Sequence, residues 1–139
     1  MSGGDHPVAK VMQFIRETDR RGMCFGGWPD SILEIYLSWH HQNGSLVLVE
    51  HEKELVALAV GTQMPETSID QHWVQWDSSG DSVYLSDLLA SKKQAVGACF
   101  DELANRCKGW RGKKLIALRH GKKRRFKPAF VEKWLEEQL

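Results

Sequence analysis

The run LLASKKQAVGACFDELANRC, residues 88–107, changes its hydrophobic period partway along. Up to Ala90 the apolar residues are nearly contiguous, as in a strand buried on both faces. From Val96 onward, Val96, Cys99, Phe100, Leu103 and Cys107 recur at three- and four-residue steps and line one face of a helix. The spacing thus predicts a strand that runs through Ser91, Lys92 and Lys93 straight into an amphipathic helix. Upstream, YLSDLL extends that strand back to Val83; downstream, KGWRGKK breaks the helix and LIALRH forms the next strand. Strand, helix and strand at this spacing imply a parallel pair joined by a right-handed crossover.

The rest of the chain arranges itself around that unit. From Pro7, the residues Val8, Val11, Met12 and Ile15 follow helical spacing to about Arg21. Gly22, Gly26 and Gly27 mark a loop, and Pro29 with Asp30 fits the first turn of a second helix whose apolar residues are Ile32, Ile35, Tyr36 and Trp39. Asn43-Gly44 ends it. Two apolar, β-rich runs, Leu46–Val49 and Leu55–Val60, flank a charged tip at His51 to Lys53 and read as a hairpin. Asp77 to Asp81 supply turn residues before the next strand, and Trp73–Trp76 is left unassigned. PAFVEKWLEEQL closes the chain as a short helix with Phe130, Val131, Trp134 and Leu135 inward. The expected architecture is one α/β domain over residues 1–139, of order α-α-β-β-β-α-β-α, with a mixed sheet flanked by helices.

Composition sets outer bounds. The 139 residues are 42% hydrophobic and 27% charged, ordinary for a soluble globular chain, and the formal net charge of +1 excludes a surface that seeks polyanions everywhere. Any basic site must be local. Cys24, Cys99 and Cys107 are odd in number and lack CxxC spacing, so reduced thiols and a cytoplasmic setting are expected. The N-terminal MSGGDHPVAK has no apolar signal core, no apolar run reaches the ~18 residues needed to span a membrane, and His40, His41 and His51 lack metal-ligand spacing and read as surface residues.

The strand-to-helix junction is where chemistry is expected. A helix start offers backbone N–H groups without partners and a partial positive charge of ~0.5 units, which attracts phosphate without particular side chains. Lys92 and Lys93 add charge there, and Gly97 removes a side chain that would block close approach. The plainer alternative has Gly97 packed on the sheet and both lysines solvated. Within YLSDLL, Asp87 is flanked by apolar strand residues, so desolvation can raise its proton affinity and suit it to general-base work; alternatively it caps or pairs. His120, ending LIALRH, is a second candidate proton carrier.

In its element order and in Gln94-Ala95-Val96-Gly97-Ala98-Cys99, the chain resembles the GNAT superfamily of acyl-CoA-dependent N-acetyltransferases. That family joins a strand to a helix through Q/R-x-x-G-x-G/A; Gln94 and Gly97 match, whereas Cys99 stands at the last Gly/Ala. The resemblance spans about Val8 to Leu139, without the family's usual strand ahead of the first helix. It implies acetyl-CoA as acyl donor, its pyrophosphate held at Leu89, Ala90, Lys92, Lys93, Gln94, Ala95, Val96, Gly97 and Ala98, and an unidentified amine as acceptor entering near GMCFGGW. It also implies a base on the central strands, for which Asp87 and His120 are the candidates. The tyrosine acid often found near the family's last helix has no counterpart, since Tyr36 and Tyr84 are the only tyrosines. The competing reading is therefore a non-catalytic interaction protein of the same fold, as in a mobile element or virion.

Two features stand apart from that site. RHGKKRRFK, residues 119–127, holds six cations and Phe126, and reads as a solvated loop, a contact for coenzyme A's 3′-phosphate or a nucleic-acid contact. Near-neutral net charge disfavours nucleic acid, and homodimerisation is left open. Of the six tryptophans, Trp39 and Trp134 fall at core-facing helical positions, leaving Trp28, Trp73, Trp76 and Trp110 as candidate ligand walls.

Overall fold

A computed structural model describes residues 7–19, 25, 28–68, 75–107, 113–119 and 122–125. Its elements run α1 (Pro7–Thr18), α2 (Asp30–Asn43), β1 (Leu46–His51), β2 (Glu54–Met64), β3 (Ser82–Ala90), α3 (Gln94–Arg106), β4 (Lys114–Arg119) and β5 (Lys122–Arg125), with one 3₁₀ turn at Glu66–Ser68. The five strands form one sheet in the order β1-β2-β3-β4-β5. All neighbours are antiparallel except β3 and β4, which are parallel and joined through α3. The mixed α/β sheet expected from the crossover pattern is thus present. The expected last helix and residues 20–21 of the first lie outside the described residues.

Side chains alternate across the sheet and build two separate cores. On one face Val47, Ala57, Ala59, Val83, Leu85, Leu115 and Ala117 meet Ala95, Cys99, Phe100 and Leu103 of α3. On the other, Leu46, Leu58 and Val60 meet Val8, Val11 and Ile15 of α1 and Leu33, Tyr36 and Leu37 of α2. The protein is therefore three-layered, and its central strands are apolar on both sides, which is why β2 reads as an almost unbroken apolar run. Each fully buried Leu, Ile or Phe stabilises by about 1.5–3 kcal/mol.

Three local features depart from the sequence reading. Helix α2 turns Leu33, Tyr36, Leu37 and His40 inward and leaves Ile32 and Ile35 exposed, at 50% and 63%. The two apolar stripes on that helix lie about one residue apart, and periodicity alone does not choose between them. His40, expected at the surface, is 2% exposed, with Nδ1 2.6 Å from Ser45 Oγ. That pair sits in the C-terminal cap of α2, where Gly44 at φ 82° lets the amides of Gly44 and Ser45 reach the carbonyls of His41 and His40. Lastly, Lys122–Arg125 is not a loop but the edge strand β5. Gln75 to Asp77 form no strand, and Trp73 lies outside the described residues.

Other contacts bind the layers. Arg16 of α1 donates to the carbonyls of Phe25 and Trp28 and to Asp30 Oδ1 at 2.7 Å, fastening the α1–α2 connection. Arg106, at the end of α3, donates to the carbonyls of Gly44 and Leu46 at 2.8 and 2.9 Å and so covers part of the outer edge of β1. The β1–β2 hairpin turns on Glu52 and Lys53, both at positive φ, 53° and 69°. Two successive positive-φ residues make the tight turn that matches strand twist, but neither side chain favours it.

Glu52→Asn with Lys53→Gly is therefore expected to raise unfolding free energy by about 0.5–1 kcal/mol in urea titration. Gly80→Ala should act oppositely, because its Cβ would lie 2.4 Å from the Met64 carbonyl carbon, and the cost is expected at about 3 kcal/mol or more. An unchanged urea midpoint for Gly80→Ala would contradict the packing described.

Candidate functional site

Strand β3 carries the site. Its whole length pairs with β2, yet only Ser82–Leu85 pair with β4, in register with Lys114–Ala117. Beyond Leu85, among the described residues, β3 pairs with β2 alone, while Leu118 and Arg119 of β4 pair with β5. The two parallel strands thus part toward their carboxyl ends, at the side where α3 begins. Open α/β sheets receive ligands outside the carboxyl ends of their strands; a cavity of about 600 Å³ among the described residues lies elsewhere, lined by His41, Leu46, Leu48, Trp76 and Arg106.

The parting coincides with a bulge. Val60 opposes Asp87 and Gly61 opposes Leu85, so Ser86 is one residue too many for β2. The surplus residue breaks the alternation, and both Ser86 and Asp87 reach toward α2. Tyr36 donates its hydroxyl to Asp87 Oδ2 at 2.7 Å and lies 3.4 Å from Ser86 Oγ. Ser86 Oγ in turn lies 3.1 Å from Asp87 Oδ2 and 3.3 Å from the Val60 carbonyl. Gly61, beside the bulge, faces the other layer, where a Cβ would meet Leu103 Cδ2 at 2.6 Å; glycine here allows α3 to sit close against the sheet.

Tyr36 is enclosed by rings: Trp28 at 4.8 Å and His40 at 4.4 Å between centroids, both edge-on, with Phe25 tilted at 6.2 Å. Burial, and then the charge of Asp87, push its phenol far above the usual range. Tyr36 is consequently a fixed hydrogen-bond donor and not a proton source near neutral pH. Asp87, the carboxylate of this trio, is half-buried.

The residues expected to hold phosphate are gathered at the neighbouring turn. Leu89 and Ala90 end β3 half-buried, Leu89 against the α1/α2 core and Ala90 against the α3 core. Lys92, Lys93 and Gln94 are exposed, Val96 and Ala98 are half-buried, and Ala95 and Gly97 are buried. Ser91 is clamped to the Val56 carbonyl through both its amide and its hydroxyl. The first turn of α3 is tight: the Ala95 and Val96 amides bond the Lys92 and Lys93 carbonyls at 3.0 and 3.1 Å. These two amides, reserved for a ligand in the sequence reading, are engaged. The Gln94 amide and the exposed side chains of Lys92 and Lys93 stand at the same turn.

His120, the second candidate proton carrier, lies outside the described residues. Two cysteines take no part, since burial pushes the thiols of Cys99 and Cys107 up to about 12 and about 11. Among the described residues no group of three or more His, Cys, Asp or Glu gathers to hold a metal ion, and no helix is long and apolar enough to cross a membrane. Tyr36 and Ser86 were missed as site residues in the sequence. Ser86 stands beside Asp87, but nothing local pairs it with a tyrosine fifty residues away. Neither the protein-family models nor the curated proteins contain a match to this chain.

Tyr36→Phe keeps the ring packing and removes one donor from Asp87; a loss of about 1–3 kcal/mol is expected in urea denaturation. No loss would mean that the hydroxyl contributes nothing. A second expectation concerns alkaline pH. Cys99 and Cys107 keep their protons to about 12 and about 11 when folded but lose them near 9 when unfolded, so the unfolded state binds fewer protons between those values. Stability should fall from about pH 9 upward, by up to ~1.4 kcal/mol per pH unit for each thiol. The Cys99→Ala, Cys107→Ala double variant should show a flatter decline, and an identical slope would refute the assignment.

Proposed function

We propose that the protein is an acyl-CoA-dependent N-acyltransferase that takes acetyl-CoA as donor and an amine as acceptor. One observation carries this reading: β3 and β4 part at the Ser86 bulge, beside a half-buried carboxylate and ahead of the lysine-flanked start of α3. Such a crevice suits an extended molecule with amide groups along its arm and phosphates at one end. The arm lies along β3 where β4 departs, and the pyrophosphate meets Lys92, Lys93 and the Gln94 amide. The thioester then comes to rest near Asp87.

The reaction asks for little more. Asp87 removes a proton from the incoming ammonium, directly or through water; the freed nitrogen attacks the thioester carbonyl, and coenzyme A leaves as its thiolate. Tyr36 and Ser86 hold the Asp87 carboxylate in place and do not transfer protons. A second reading, a non-catalytic binder of the same fold, draws on the same contacts, because a carboxylate accepting from Tyr36 at 2.7 Å also serves as a structural tie.

Thermal denaturation tests the donor site. Acetyl-CoA at 100 times its dissociation constant should stabilise the folded state by ~2.7 kcal/mol. Lys92→Glu with Lys93→Glu should abolish the shift, and both positions are exposed, so folding should persist. Absence of any shift at millimolar acetyl-CoA would remove the proposal. Asp87→Asn retains an acceptor for Tyr36 while losing basicity, so it should lower turnover by ~10²–10⁴-fold with acetyl-CoA affinity nearly unchanged. Full activity in that variant would exclude Asp87 as base, whereas wild-type binding without turnover across a panel of amines would favour the second reading.

A further inference from the structure

We infer that the β4–β5 ribbon binds the phosphate backbone of a nucleic acid. This goes beyond the acyl-transfer reading and does not rest on it. Residues 113–125 carry seven Lys and Arg and no Asp or Glu. The other 126 residues hold twelve Lys and Arg against eighteen Asp and Glu. A chain of net charge +1 is therefore divided into a ribbon of +7 and a remainder of −6. Near-neutrality, which argues against nucleic acid when the sequence is averaged, here hides a segregation of charge.

The fold puts that charge at one margin of the molecule. β4 and β5 are antiparallel and form the last two strands of the sheet, and among the described residues β5 has a strand neighbour on one side only. Arg119 is in register with Lys122 at the turn end of the ribbon, and Leu118 with Lys123. At the far end of the ribbon, Glu66 lies 3.1 Å from Lys114 Nζ and 3.4 Å from Arg125 Nη2, and Asp81 lies 3.3 Å from Lys114 Nζ.

Two alternatives account for less. Edge strands are guarded against mispairing by a lysine or two, but four successive cations backed by Arg119 exceed that need. A protein partner would want an apolar or aromatic anchor at the centre of its interface, and Lys122–Arg125 contains none. What remains is an electrostatic contact with a regularly charged polymer. Past Ala117, among the described residues, β4 pairs with β5 only, and a two-stranded ribbon is an element that a DNA major groove admits; the acidic remainder of the molecule would be repelled from the polymer.

Fluorescence anisotropy with a short labelled duplex DNA, over a salt series from ~50 to ~200 mM, tests this. Contact with about four phosphates predicts a logarithmic slope near −3.6, hence an affinity falling about 100-fold across the series. Lys122→Gln with Lys123→Gln should make that slope less steep by about 1.8. Lys10→Gln with Lys53→Asn removes the same charge from exposed positions elsewhere, and Asn suits the positive φ of residue 53, so this control should retain the wild-type slope. Both variants should melt within about 1 kcal/mol of wild type, as surface changes do, and a single-stranded RNA probe should give a shallower slope of about −0.7 per phosphate. Absence of binding at ~50 mM salt and ~100 μM protein, or equal weakening in both double variants, would overturn the inference. So would equal affinity for anionic phospholipid vesicles, or binding of the same strength to an acidic peptide.

Discussion

Between Leu85 and Asp87, β3 carries one residue more than β2 can oppose, and the geometry of the molecule depends on how that surplus is absorbed. Antiparallel pairing with β2 continues past the bulge, because both strands are apolar on both faces and either core would be lost if they separated. Parallel pairing with β4 has no such support beyond four residues, and it stops there. The bulge therefore separates the stretch where β3 pairs on both sides from the stretch where, among the described residues, it pairs with β2 only. It also turns two neighbouring polar side chains to the same layer, where the Tyr36 hydroxyl donates to Asp87.

The polar groups buried around this frame are satisfied locally. His40 and Ser45 bond one another beneath the end of α2, while Gln63, 1% exposed, donates to the carbonyls of Ser78 and Gly80 and holds the approach to β3. Among the described residues no buried side-chain polar atom lacks a partner. An unpartnered group would cost about 1–3 kcal/mol, so such networks fix loop positions more than they add stability. The half-buried carboxylate of Asp87 sits beside that network, accepting from Tyr36 and Ser86.

Charge is organised on a different plan from hydrophobicity. Apolar residues are shared between two cores on opposite faces of the sheet, whereas positive charge is concentrated along one margin. Glu66 and Asp81 tie the base of the basic ribbon to the segments leading into β3, and exposed pairs of that kind contribute at most about 1 kcal/mol. Their effect is better seen as placing the ribbon than as stabilising it.

Periodicity in the sequence was enough to find α1, α2, the β1–β2 hairpin, β3, α3 and β4, although β2 runs on to Met64, four residues past the apolar run that marks it, because polar Thr62 and Gln63 interrupt the alternation. It was enough, too, to single out Asp87 and the lysines before α3. The inward face of α2 was decided only in the tertiary structure, where Leu33 and Leu37 fill the second core and Ile32 does not. A run of four cations gives no alternation to read, so β5 became a strand only because β4 offered it an edge. The union of Tyr36 with Asp87 joins residues 51 apart, and it exists because a register shift of one position turned the carboxylate toward α2. Local pattern is written in neighbouring residues; register and the choice of face are settled by which packing buries the larger apolar surface.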